Sequence, residues 1–175
     1  MKNHAFVHWI TLTCGIILLI TLFCCKQTVR KVPLNYILLV TFTLLWSYMV
    51  AGFSSYTDPK VVLAAAVCSA FMFVGLTTLS CLISAERLNY CWGFLSVLLS
   101  MVLPGIIFML MFRTKIIHVS VIIICILLFS FYIVYDTKKI ILTLSVDEYI
   151  IGSLLIYVDF ISLCICLITL FGINN

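Results

Sequence analysis

Long apolar runs separated by short polar links dominate the sequence. The runs cover approximately residues 5–25, 34–53, 61–83, 90–112, 116–144 and 146–171. A helix rises about 1.5 Å per residue, so about 20 apolar residues cross a hydrocarbon core about 30 Å thick. Each run is apolar on every side, which is typical of a membrane span and not of an amphipathic surface helix. The pattern predicts an all-α fold, a polytopic transmembrane bundle of six helices forming a single domain over residues 1–175.

Composition favours a membrane protein over several other classes. Of the 175 residues, 65% are hydrophobic and 9% are charged, and the mean hydropathy is +1.33. Soluble domains are about half apolar and about a quarter charged, because their surface must face water. A water-soluble enzyme, a nucleic-acid-binding protein and a disordered chain are therefore disfavoured, and the lipid bilayer is the expected surrounding.

Cysteine and histidine are the residue types most often found in disulfides and metal sites. Most of the nine cysteines lie in apolar runs, where a small apolar filler is a simpler interpretation than a disulfide framework. Cys164 and Cys166 are two positions apart, on nearly opposite faces of a helix, so they do not form a metal clip. His4 and His8 share a helix face but lack a third ligand. No metal site and no bound cofactor are predicted.

The basic residues of the links predict the orientation of the bundle. One side of a six-span bundle holds six Lys or Arg residues and the other side holds four. By the positive-inside rule, links 26–33, 84–89 and 136–148 face the cytosol, and both termini lie on the opposite side. The first run stays apolar for about 20 residues and lacks a small-residue cleavage site, so it is expected to be a retained span.

Two acidic residues stand out because they lie in or next to apolar runs. Asp159 is near the middle of the last run, where an ionised carboxylate costs on the order of 3 kcal/mol. Ser145 and Glu148 have the spacing of a capping box, which predicts a helix start and a hairpin turn near residue 145. Asp136 and Asp159 then differ in depth by about five residues, or roughly 7 to 8 Å, which helix tilt can close.

Contact between Asp136 and Asp159 would have a chemical consequence. Two carboxyl groups in a low-dielectric site cannot both ionise at low cost, so they would share a proton and act as a pH-sensitive latch. A helix–helix hydrogen-bonding strut is one alternative, and solvation of Asp136 beside Lys138 and Lys139 is another. An intramembrane aspartyl protease also places aspartates on adjacent spans, one after a tyrosine as in Tyr135-Asp136. Its Gly-x-Gly-Asp motif is missing before Asp159, and no enzyme activity is predicted.

Several segments together resemble the Bax inhibitor motif family, closest to its lifeguard branch. They are residues 32–35 (Val-Pro-Leu-Asn), 41–45 (Thr-Phe-Thr-Leu-Leu), 135–137 (Tyr-Asp-Thr), 144–149 (Leu-Ser-Val-Asp-Glu-Tyr) and 156–163 (Ile-Tyr-Val-Asp-Phe-Ile-Ser-Leu). The resemblance extends from about residue 10 to the C-terminus and is most specific in the last third. It implies a seven-helix bundle that leaks calcium down its gradient. It also implies that Asp136 and Asp159 form a pH-sensing latch over the pore.

The sequence departs from that family pattern at its start. The first run corresponds to the family's second helix, so the family's first helix is expected to be absent. The resemblance also implies a basic partner for the aspartates, and Lys26 and Arg30 are the candidates. The groove left by an absent helix would be filled by lipid, by another membrane protein or by a second copy of the chain.

These observations lead to two functional hypotheses. The first is a multi-pass calcium leak channel of the Bax inhibitor type that regulates cell death and stress, with calcium as the permeant ion. The alternative is a non-conducting structural or regulatory subunit of a larger membrane complex. The endoplasmic reticulum or Golgi membrane is the expected location, with the mitochondrial inner membrane and the plasma membrane as alternatives.

Overall fold

Four long helices form most of the described part of the chain. The computed structural model describes residues 10–11, 13–15, 17–18, 33–84, 94–95, 102, 106, 114–145 and 148–173. The helices are α1 (Leu34–Ser54), α2 (Pro59–Leu82), α3 (Lys115–Thr143) and α4 (Tyr149–Gly172). All four are long and apolar enough to cross a membrane, and the described ranges contain no strand. The predicted all-α polytopic bundle is confirmed.

The predicted runs agree with the helices to within a few residues where the structure describes them. Runs 34–53, 61–83, 116–144 and 146–171 correspond to α1, α2, α3 and α4. Runs 5–25 and 90–112 lie largely outside the described residues, so the count of six spans stays a prediction. Within the fourth run, the Phe94 ring lies 4.7 Å from the Phe131 ring of α3.

Short-range signals in the sequence set the start of α2. Asp58 is the N-cap residue, and its carboxylate Oδ1 accepts a hydrogen bond of 3.1 Å from the Lys60 amide. Pro59 occupies the first helical position, where its missing N–H leaves no hydrogen bond unmade. The same residues therefore end the α1–α2 link and begin the second span.

Contacts at the two ends of the bundle show which helix ends share a side. The Tyr36 and Tyr149 hydroxyl oxygens, near the starts of α1 and α4, lie 2.8 Å apart in a hydrogen bond. At the opposite end, a Cβ added to Gly172 would lie 3.3 Å from Thr57 Cγ2 in the α1–α2 link. The starts of α1 and α4 therefore lie at one end of the bundle, as the predicted alternation of spans requires.

The interior contains two main apolar clusters, and both include α4. Phe42 of α1 packs with α4 residues Ile150, Ile151 and Leu154. Ala65 of α2 and Ile133 of α3 pack with the α4 residues Leu163, Leu167 and Ile168. Helix α4 is thus the central element of the described bundle, and α3 is the helix with which it makes its largest contact.

The outer faces of α1 and α2 carry large apolar side chains. Leu44, Leu63 and Phe71 are among the most exposed, and Phe71 retains 76% of its accessible surface. Several hydroxyl groups on these helices donate to carbonyl groups of their own helix, as when the Thr78 hydroxyl donates to the Val74 carbonyl. These faces are suited to contact with acyl chains.

Gly152 permits close approach of α4 to the end of α3. A Cβ at this position would lie 3.2 Å from Leu144 Cδ2 and 3.6 Å from two carbons of Ile140. At Gly75 on α2, by comparison, an added Cβ would meet nothing within 4 Å. Small residues let helix backbones approach closely in membranes, where lipid supplies no net hydrophobic drive for association.

We expect Gly152→Leu to destabilise the fold, because the larger side chain must displace Leu144 and Ile140. The expected loss of unfolding free energy is about 1 to 3 kcal/mol. Thermal unfolding of the purified protein in detergent measures the change. Gly75→Leu is the matched control, since it adds the same side chain in open space and should leave the unfolding midpoint unchanged or raised. Equal midpoints for the two variants would contradict this account of Gly152.

A buried interhelical hydrogen bond joins α2 to α3. The Ser80 hydroxyl, which is fully buried, donates to the Val134 carbonyl oxygen at 2.8 Å. Val134 lies two residues before Asp136. The bond therefore connects α2 directly to the part of α3 that carries the acidic residue.

Ser80→Ala is expected to reduce the unfolding free energy by about 0.5 to 1.5 kcal/mol, through loss of this bond. Thr78→Ala provides the control, because the Thr78 hydroxyl is exposed and bonds only within its own helix. The same detergent unfolding measurement applies. A Thr78→Ala loss as large as that of Ser80→Ala would indicate a general effect of hydroxyl removal.

Candidate functional site

Asp136 and Asp159 lie at nearly the same level on the α3–α4 hairpin. Asp136 is seven residues before Thr143, the last residue of α3, and Asp159 is ten residues after Tyr149, the first residue of α4. The positions differ by three residues, or about 4.5 Å along the helix axes. This offset is smaller than the predicted 7 to 8 Å. The prediction placed the turn near residue 145, whereas α3 ends at Thr143 and α4 begins only at Tyr149.

The two carboxyl groups are in contact and buried. Each lies within side-chain hydrogen-bonding reach of the other, and their residues retain 7% and 6% of their accessible surface. Oδ2 of Asp159 accepts no hydrogen bond from any described residue. Ionised carboxylates have only acceptor atoms, so a hydrogen bond between the two requires a proton on one of them. The geometry accommodates one proton shared by the pair.

Basic and phenolic groups of α3 face the pair. Lys139 interacts electrostatically with Asp136, and its Nζ lies 5.8 Å from the centre of the Tyr135 ring. Tyr132 lies close enough to both carboxyl groups to interact with them electrostatically. Lys138 is buried as well, with 9% of its surface accessible. The carboxyl pair thus adjoins a basic segment at the end of α3 nearer the hairpin link.

Aromatic contacts on both sides of Asp159 hold α4 in place. The Tyr157 ring packs edge-on against Phe42 of α1, with 5.9 Å between ring centres. The Phe160 ring packs edge-on against Phe73 of α2, with 5.4 Å between centres. Neighbours of Asp159 therefore anchor α4 to two different helices, and the carboxyl group is directed to α3.

The chemistry available to this pair is proton exchange and cation attraction. A shared proton can be lost, leaving two adjacent anions, or a second proton can be gained, leaving two neutral acids. The described residues contain no group of three or more His, Cys, Asp or Glu side chains placed to hold a metal ion. The site is a protonatable contact between two helices.

The predicted capping box differs from the structure. The N-cap of α4 is Glu148, without a side-chain capping hydrogen bond, whereas the box requires Ser145 in that position. The Glu148 amide donates to the backbone carbonyl of Ser145 at 2.9 Å, an i to i+3 contact of the kind found in tight turns. The Glu148 amide, which the Ser145 hydroxyl was predicted to bind, donates to the Ser145 backbone carbonyl instead. Lys26 and Arg30, the candidate basic partners, lie outside the described residues.

Tyr132 is a neighbour of the pair that the sequence prediction omitted, and Lys139 was considered only as a solvated neighbour of Asp136. Tyr132 precedes Asp136 by four residues and Lys139 follows it by three. Both spacings place side chains on the same face of a helix as Asp136. This periodicity was the available signal for both residues.

Comparison with known proteins identifies the family. The sequence profile described as "Inhibitor of apoptosis-promoting Bax1" matches residues 1–175. The chain belongs to this Bax inhibitor family. It is 31% identical over 147 residues to Protein LIFEGUARD 4 of Arabidopsis thaliana, a match covering 81% of the chain and 59% of that protein. The predicted membership of the family and its lifeguard-like branch is confirmed.

Relatives from animals and viruses show the same partial coverage. Human Protein lifeguard 3 is 25% identical over 186 residues, covering 100% of the chain and 58% of that protein. The Golgi anti-apoptotic protein of vaccinia virus (strain Lister) is 29% identical over 146 residues, covering 83% of the chain and 61% of the viral protein. The chain spans about three fifths of the length of the curated relatives it matches.

Asp159→Leu should be less stable than Asp159→Asn by about 1 to 3 kcal/mol, because leucine leaves the buried Asp136 without its partner. Asparagine can still donate a hydrogen bond to the Asp136 carboxylate. Thermal unfolding at neutral pH compares the variants. The double variant Asp136→Leu/Asp159→Leu removes both carboxyls and should recover part of the loss. Equal stability of the two single variants would show that the carboxyl contact contributes nothing.

Proposed function

We propose that the chain belongs to a membrane protein that lets calcium leak down its gradient, and that the Asp136–Asp159 pair makes this leak pH-dependent. The observation that supports this proposal is the buried contact between the two carboxyl groups on neighbouring spans. Buried ionisable residues within membrane spans commonly belong to ion pathways or proton relays. No chemical transformation is assigned to the pair, and the protein is not proposed to be an enzyme.

A one-proton bridge would stabilise the closed arrangement of α3 and α4. Loss of that proton places two negative charges in contact at low dielectric, which favours separation of the helices. Carboxylate oxygens are also ligands that calcium prefers, so an ionised pair would attract the permeating ion. Gain of a second proton removes the charge-assisted character of the bridge. Either change alters the balance between closed and open states.

Other groups around the pair would modulate its response to pH. On α3 these are Tyr132, Tyr135, Lys138 and Lys139, which carry either phenol or ammonium groups. From the other helices, Phe42 of α1 and Phe73 of α2 contact the aromatic neighbours of Asp159. Ser80 of α2 bonds to the Val134 carbonyl, two residues before Asp136, and none of these three side chains carries a charge. Tyr157 is the nearby phenol on α4. The two carboxyls are therefore the acidic groups on which the proposed response depends.

Asp159→Asn should alter calcium flux and flatten its dependence on pH, since asparagine cannot exchange a proton in this range. Purified protein reconstituted into vesicles that contain a calcium-sensitive dye provides the measurement, repeated across a series of pH values. Asp58→Asn is the matched control: it makes the same chemical change at an exposed N-cap, where asparagine caps equally well. A wild-type pH profile in Asp159→Asn would refute the proposed latch.

A non-conducting subunit of a larger membrane complex is the second candidate function. The exposed apolar faces of α1 and α2 favour it, because they could contact further helices as well as lipid. Helix α1 also makes its main described helix contact with α4 alone. Purification in mild detergent separates the candidates: migration with stoichiometric partners and no flux would favour the subunit.

We also propose that the protein regulates cell death from the endoplasmic reticulum or Golgi membrane. One relative is named a Golgi anti-apoptotic protein, and that name supports both the process and the location. A calcium leak from an internal store would link the two, because it lowers the amount of calcium available for release. Co-localisation of the tagged full-length protein with Golgi and reticulum markers tests the location.

A further inference from the structure

A second pair of chemically reactive side chains joins α3 to α4. Cys125 is 18 residues before Thr143, the last residue of α3, and Cys166 is 17 residues after Tyr149, the first residue of α4, so the two thiols lie at the same level of the hairpin. They are also close enough to interact electrostatically. Both cysteines are free and half-buried. The sequence interpretation treated them as separate apolar fillers, since they are 41 positions apart. The packing of the hairpin brings them together.

The thiol pair lies along the same seam as the carboxyl pair. Cys125 is 11 residues before Asp136, and Cys166 is seven residues after Asp159. These separations are close to three and two helical turns, so each cysteine shares a helix face with the aspartate of its own helix. The thiols are about 10 to 16 Å from the carboxyls along the helix axes, toward the end of the bundle away from the hairpin link.

Cysteines in contact on adjacent helices can be joined with little movement of the backbone. A disulfide needs Cα atoms roughly 4.4 to 6.8 Å apart, a separation that close packing of neighbouring helices can provide. Cys164 is also half-buried on α4, but its two-residue offset places it on nearly the opposite face from Cys166. The geometry thus selects Cys166 and not Cys164 as the partner of Cys125.

We propose that Cys125 and Cys166 form a redox modification site, a dithiol that hydrogen peroxide converts reversibly into a disulfide joining α3 to α4. One thiolate attacks peroxide, which breaks the O–O bond, forms a sulfenic acid and releases hydroxide. The second sulfur attacks the sulfenic sulfur, forms the S–S bond and releases water after proton transfer. In total, two thiols and one peroxide give one disulfide and two waters. An external thiol such as dithiothreitol returns both cysteines to the reduced state.

A disulfide at this position would tether the two helices that carry the aspartates. Relative sliding or separation of α3 and α4 would then be restricted at one end of the seam. This consequence for the leak rests on the proposed function, whereas formation of the bond does not. Oxidation is accordingly expected to raise the thermal unfolding midpoint of the protein and to reduce calcium flux.

The decisive experiment is peptide mapping of the full chain in membranes treated with hydrogen peroxide. Remaining thiols are blocked with N-ethylmaleimide, the protein is digested without reductant, and linked peptides are identified by mass spectrometry. A peptide pair joining Cys125 to Cys166 is expected in wild type and in Cys164→Ser. It should be lost in Cys125→Ser and in Cys166→Ser, and dithiothreitol should remove it from wild type.

Absence of the Cys125–Cys166 link in folded, oxidised wild type would overturn the inference, as would linkage of Cys125 to Cys164 instead. Unfolding midpoints of the serine variants establish that each variant is folded before oxidation. The covalent readout also separates this inference from the leak proposal. If the link forms while Asp159→Asn keeps a wild-type pH profile, the redox site is supported and the latch is refuted. If the link does not form while Asp159→Asn flattens the pH profile, the latch is supported and the redox site is refuted.

Discussion

The structure depends on the contact between two buried carboxyl groups within a pair of membrane-spanning helices. An isolated carboxylate at this depth would be costly, and two ionised carboxylates in contact would be more so. In the proposed latch, a shared proton would remove one charge and join the helices with a hydrogen bond. The same contact that makes burial tolerable would then make the α3–α4 pair sensitive to protonation.

Packing must hold the pair in register, because lipid provides little drive for helices to associate. Gly152 lets α4 approach Ile140 and Leu144 at the hairpin end. Beyond it, the aromatic neighbours Tyr157 and Phe160 anchor α4 to α1 and α2. Close fit and a few interhelical hydrogen bonds thus replace the apolar collapse that stabilises a soluble core.

The α3–α4 seam combines two kinds of chemistry. One level carries the two carboxyl groups of the proposed proton latch, and a second level carries the two thiols of the proposed redox site. Both levels act on the same helix pair, so the proposed pH response and the proposed redox response would converge on one movement. The chain belongs to the Bax inhibitor family, and its four described long helices are apolar enough to cross a membrane.

The sequence by itself determined the four described long helices, since the bilayer sets the length of an apolar run and residues such as Asp58 and Pro59 set where a helix begins. It also located the carboxyl contact approximately, because a short hairpin link restricts which residues of two consecutive spans share a level. The start of α4 and the Cys125–Cys166 contact required the tertiary structure. Periodicity fixes which residues share a face of one helix, but the rotation and offset between helices depend on packing at positions such as Gly152. Only that packing places Cys125 opposite Cys166 and not opposite Cys164.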